Sequence, residues 1–77
     1  MQVHIDTYAN LRQYSPTGQG SFDLTLDPGA TLNCIIDALN IPRTVKIVSL
    51  VNGRHAAEDT RLEADDKITL FPPLEGG

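Results

Sequence analysis

Hydrophobic and polar residues alternate along three stretches of the chain, and each stretch predicts a strand. In VHIDTY (3–8), Val3, Ile5 and Thr7 share one face while His4, Asp6 and Tyr8 share the other. SFDLTLD (21–27) sets Phe22, Leu24 and Leu26 against Ser21, Asp23, Thr25 and Asp27, so one face is buried and the other wet. KITLFP (67–72) puts Ile68 and Leu70 on one face. A fourth stretch, VKIVSLV (45–51), is rich in β-branched residues and meets Asn52-Gly53, the commonest two-residue hairpin chemistry. A short return strand through RHAAED (54–59) is therefore expected.

Between the second and third of these strands in chain order the period changes. Leu32, Ile35, Ile36 and Leu39 fall at i, i+3, i+4 and i+7, one stripe of a helix of about nine or ten residues. Thr31 precedes the stripe as an N-cap and Pro42 follows its end. SPTGQG (15–20) and EADD (63–66) are turns, and Asp27-Pro28-Gly29 ends the second strand. Pro72 and Pro73 stop ladder pairing after the last strand, because neither has an N–H to donate. The order strand, strand, helix, strand, short strand, strand predicts an α+β roll, one main helix lying on a mixed sheet of four or five strands. Residues 1–73 form the domain and 74–77 a flexible tail.

Composition narrows the partners. Six basic against ten acidic side chains give a net charge of −4, which argues against nucleic acid and for a partner with a basic docking face. No apolar run approaches the roughly 18 residues of a membrane span, and the start lacks the basic and apolar regions of a signal peptide. The single Cys34 cannot form an internal disulfide, so a cytoplasmic location is expected.

Little chemistry is visible inside the domain. His4, His55 and Cys34 do not fall at a metal-ligand spacing, so no metal site is expected. His4 and His55 read as solvent-side residues, and Cys34, on the helix's first turn away from the apolar stripe, as a surface thiol. Asp65 and Asp66 read as turn-formers rather than an acid/base pair. No phosphate-cradling glycine loop is present. No self-contained active site is expected, which directs attention to the ending FPPLEGG (71–77).

Two consecutive glycines at a chain end arise by chance in roughly 0.5% of chains. Gly76 and Gly77 can thread a channel too narrow for any side chain, and Leu74 to Gly77 reaches about 13–14 Å when extended. Pro72-Pro73 gives that arm a stiff base. An α-carboxylate on Gly77 is ionised at neutral pH and a poor electrophile, so reaction at it needs activation, for instance as a mixed anhydride with AMP. With no nucleotide loop in the chain, that activation belongs to a partner.

VNG (51–53), EADDKITLFPP (63–73) and the final GG, together with the strand and helix order, resemble the MoaD/ThiS family of ubiquitin-like sulfur carriers over the whole chain. ANLRQY (9–14) and PPLEGG (72–77) are most similar to its molybdopterin synthase small-subunit (MoaD) branch. The resemblance implies a β-grasp fold and a Gly77 that is adenylated, with ATP, by a MoeB/ThiF-like ubiquitin-activating-type adenylyltransferase and then converted to a thiocarboxylate. It implies that a MoaE-like large synthase subunit accepts the tail, with Gly76 permitting threading and Phe71, Pro72, Pro73, Leu74 and Glu75 helping to dock it. Glu75 stands where the family more often has a small residue, and so requires a cationic or solvated site in the acceptor. The same logic leaves open a carrier for thiamine, a sulfur amino acid, thiolated tRNA or a tungsten cofactor. It also leaves open a modifier whose Gly77 joins a lysine.

Overall fold

The computed structural model describes residues 1–73. Five strands form one mixed sheet: β1 (Gln2–Thr7), β2 (Ser21–Thr25), β3 (Val48–Val51), β4 (Arg54–His55) and β5 (Lys67–Phe71), in the order β2-β1-β5-β3-β4. β1 and β5 are parallel, and the other pairings are antiparallel. The alternation read from the sequence is realised in β1, where Val3, Ile5 and Thr7 are buried. Phe22 of β2 and Ile68 and Leu70 of β5 join them on the same face.

A single helix, α1 (Leu32–Ala38), closes that face. Leu32, Ile35 and Ile36, with Leu39 and Ile41 just beyond, pack with Val3, Ile5, Ile68 and Leu70 into one core. Each such side chain contributes about 1.5–3 kcal/mol by leaving water. That burial sustains a helix of 7 residues, a length marginal in isolation. This is the β-grasp roll.

Three boundaries differ from the sequence reading. The helix is shorter because Asn40 takes a left-handed conformation, φ 58°, and turns the chain. The Asn40 N–H donates to the Asp37 carbonyl and the Ile41 N–H to the Ile36 carbonyl, a complete Schellman ending. β3 begins at Val48 rather than 45, because a turn through Pro42–Val45, closed by the Val45 N–H on the Pro42 carbonyl, occupies its expected start. The return strand stops at His55, since the following segment caps α1 instead. Its Glu58 and Thr60 carbonyls accept from the Asn33 and Leu32 N–H groups, donors that a helix start leaves unpaired.

The sequence reading also left Ala9–Tyr14 without an element, and it forms a 3-10 helix pinned by the fully buried Leu11. Asn52 and Gly53 both have positive φ, 53° and 84°, the geometry of a type I′ turn. The Asn52 side chain donates to Asp66 Oδ1 at 2.9 Å and accepts from the Lys67 N–H at 3.0 Å. The hairpin turn is thereby tied to the acidic turn that opens β5.

Candidate functional site

β5 delivers the chain to Phe71, Pro72 and Pro73 from the middle of the sheet, flanked by β1 and β3. Phe71 pairs with Val48, Leu70 pairs with Thr7, and the Tyr8 N–H donates to the Leu70 carbonyl at 3.1 Å. The root of the tail is therefore held on both sides up to the first proline. Leu74, Glu75, Gly76 and Gly77 lie outside the described residues.

Phe71 faces away from α1. Register places Phe71 beside Val48 and Thr69 beside Leu50, so these four residues share the uncovered face of the sheet. Tyr8, extended and 54% exposed, continues the alternation of β1 onto that face beside Phe71. The result is a half-buried apolar strip, Tyr8, Phe71, Val48 and Leu50, ending where the tail begins. A groove of about 580 Å³ lies beside the prolines, lined by Asn10, Thr44, Val45, Lys46, Pro72 and Pro73.

Beyond the apolar strip the uncovered face turns polar. His4 is half-exposed, as expected for a solvent-side residue, but it is not idle. Its Nδ1 meets Asp23 Oδ1 at 2.9 Å and its Nε2 meets Asp6 Oδ1 at 3.1 Å. The bond to Asp23, and then those to Asp6, raise the His4 pKa above its ordinary value. Asp6 also accepts from the Ser21 hydroxyl, which is the main reason its pKa is lowered. His55 is exposed on the two-residue β4.

Cys34 is exposed at the third residue of α1. The Thr31 N–H donates to its Sγ at 3.4 Å, and the Thr31 hydroxyl lies at 3.6 Å. These contacts, the backbone one first, lower the thiol pKa. Sulfur thus takes the place that a Glu or Gln side chain occupies in the usual capping box. Asp65 and Asp66 are turn-formers. Asp65 sits at φ 68°, while Asp66 accepts from the Asn52 side chain and from the Glu63 N–H. Sequence reading found the tail root but not the groove beside it. Asn10, Lys46 and Pro72 are far apart in the chain and share no spacing that signals their meeting.

The sequence profile of the ThiS family matches residues 8–77. The chain belongs to the ThiS family. That family is the ubiquitin-like MoaD/ThiS sulfur-carrier type. SAMP1 from Haloferax volcanii is similar to this ThiS-family chain at 26% identity, with a TM-score of 0.80 over 100% of both chains. A putative molybdopterin converting factor subunit 1 from Pyrococcus furiosus gives 22% identity and a TM-score of 0.78, covering 95% of this chain and 98% of its own. A chain from the complex of subunits 1 and 2 of molybdopterin-converting factor from Helicobacter pylori gives 21% and 0.64 over 100% of both. The last two likenesses are of fold. No curated protein sequence matches the chain. Among the described residues, no helix is long and apolar enough to cross a membrane.

Proposed function

We propose that this ThiS-family chain carries sulfur on Gly77 as the small subunit of a molybdopterin synthase. The observation that supports the reading best is that the family match runs through residue 77 and takes in LEGG, the four residues that follow β5 and the proline pair in the sequence. The chain's own part is to present a carboxylate at the tip of a slim arm on a rigid root. A MoeB/ThiF-like adenylyltransferase joins that carboxylate to AMP from ATP, releasing pyrophosphate. A hydrosulfide-level donor then attacks the acyl carbon and expels AMP, leaving the thiocarboxylate. The acceptor is a MoaE-like large subunit, and the pairing of subunits 1 and 2 in the Helicobacter pylori complex supports a partner of that kind. Phe71, Pro72, Pro73, Leu74 and Glu75 guide the tail into that partner, and Gly76 lets it pass a narrow channel. The small subunit supplies no catalytic side chain of its own, and the work proceeds in the cytoplasm.

An intact-mass measurement on untagged protein from cells that supply its activating enzyme tests this. A gain equal to one oxygen-to-sulfur exchange, localised to Gly77 and retained in Cys34→Ser, is expected. Sulfur found on Cys34 instead would sink the assignment. A second reading, a protein modifier, is favoured by the 26% identity to SAMP1, a small archaeal modifier protein. It predicts unshifted mass and Gly77 joined to lysines of larger proteins.

A further inference from the structure

The groove beside the proline pair has a chemistry of its own, and the reading of it rests on the proposed function. Three of its lining side chains are able to donate hydrogen bonds: the Asn10 amide, the Thr44 hydroxyl and the Lys46 ammonium. Val45, Pro72 and Pro73 provide apolar walls. Among the described residues no carboxylate lines it, although acidic residues outnumber basic ones ten to six along the chain. Lys46 is exposed and makes no ion pair among the described residues.

The surroundings extend the pattern. Across the 3-10 helix, Arg12 is also exposed, and it too has no ion pair among the described residues. It lies over Gly20, where an added Cβ would stand 3.3 Å from Arg12 Nε and 3.2 Å from the Thr7 carbonyl oxygen. Asp6, near this end of β1, is already engaged by Ser21 and His4. The opposite end of the strands holds Asp27 after β2 and Glu63, Asp65 and Asp66 before β5, with Lys67 and Arg54 among them. The net −4 predicts a basic partner, whereas the charged side chain that lines the groove among the described residues is Lys46.

We infer that the groove receives an extended acidic segment of the protein that accepts the tail. Lys46, Thr44 and Asn10 hold a carboxylate of that segment, while an adjoining apolar side chain lies on Val45 and the proline pair. The nucleotide used in activation is not the occupant. It reacts at Gly77, four residues beyond Pro73, a reach of about 13–14 Å. The groove thus acts as the fixed half of a two-point grip, with the tail as the other half. An acidic strand at the mouth of the partner's channel lies against the root while Gly76 and Gly77 go inside.

The test compares full-length Lys46→Glu, Lys46→Gln and the distant charge reversal Arg54→Glu. Each is titrated calorimetrically against the MoaE-like subunit and the MoeB/ThiF-like enzyme of the same genome. With the MoaE-like subunit, Lys46→Glu is expected to weaken binding about 10-fold or more at low salt, and Lys46→Gln by a few-fold; an effect confined to the MoeB/ThiF-like enzyme would overturn the assignment. Arg54→Glu should change it by less than about 2-fold. The Lys46→Glu deficit should shrink at an ionic strength of about 0.3 M, where exposed charges are screened. An acid-to-lysine change in the partner that restores binding to Lys46→Glu would identify the segment.

Equal effects of Lys46→Glu and Arg54→Glu on binding to the MoaE-like subunit would overturn the groove while leaving the sulfur-carrier reading intact. Wild-type binding to neither partner would overturn both. Unchanged binding with slower adenylation would make the occupant the nucleotide, which also overturns it.

Discussion

His4 shows how a single exposed side chain acquires a role from its neighbours across the sheet. It lies between Asp23 on β2 and Asp6 on its own strand, with Lys67 of β5 opposite it in register. Its pKa is raised from 6.5, so its contribution to stability is complete below that value and is lost as pH rises through the folded value. The Asp6 pKa is lowered from 3.8, so its contribution is present above that value and disappears as pH falls through the folded one. The cluster is therefore strongest between pH 3.8 and 6.5. Since His4 is 43% exposed, its worth is small, about 0.5 kcal/mol. Denaturant titrations of wild type and His4→Gln at several pH values should show a gap at about pH 5.5 that closes by about pH 8.5. A gap independent of pH would mean that packing, not charge, is what His4 supplies. The alternation in VHIDTY put His4 on the open face, but nothing local announced Asp23, which arrives through the hairpin register.

Among the elements, the turn at Asn52-Gly53 does more than reverse the chain. The Asn52 side chain bonds both Asp66 and the Lys67 N–H, so it sets β5 in register with β3 and thereby places Phe71 and the tail root. Asn52→Ala removes two hydrogen bonds and puts a Cβ-bearing residue without a stabilising amide at φ 53°, a cost of about 2–4 kcal/mol. Asn52→Gly keeps the backbone geometry and loses only the bonds, about 1–2 kcal/mol. Chemical denaturation of the two variants separates the contributions, and equal losses would show that φ is not strained. The dipeptide itself was plain in the sequence as a hairpin signal. Its grip on the acidic turn was not, because that contact joins residues 14 apart. The same contrast holds for α1. The stripe Leu32, Ile35, Ile36 and Leu39 declared the helix, but its early end depended on Asn40 adopting a glycine-like conformation, which its type permits without requiring.

For the molecule as a whole, the buried core of the described residues lies between Val3 and Leu70, and the last described strand ends at Phe71. Removing Gly77, or extending the chain beyond it, should abolish sulfur loading while shifting the thermal midpoint by less than about 2 °C. Loading that survives either change would remove Gly77 from the mechanism. The order of elements along the chain was legible from alternation, helical period and turn chemistry, whereas the sheet order β2-β1-β5-β3-β4 was not, because its central pairing joins residues as distant as His4 and Lys67. That sheet also joins the chain's two ends, since β1 and β5 lie side by side in parallel, His4 opposite Lys67 and Thr7 opposite Leu70. Such pairing closes a loop of nearly the whole chain, the slowest kind of contact to make. A full-length chain in which β5 has not yet paired with β1 has no seated root at Phe71. On the sulfur-carrier reading proposed above, an enzyme that gripped the root would therefore act on folded chains and pass over unfolded ones.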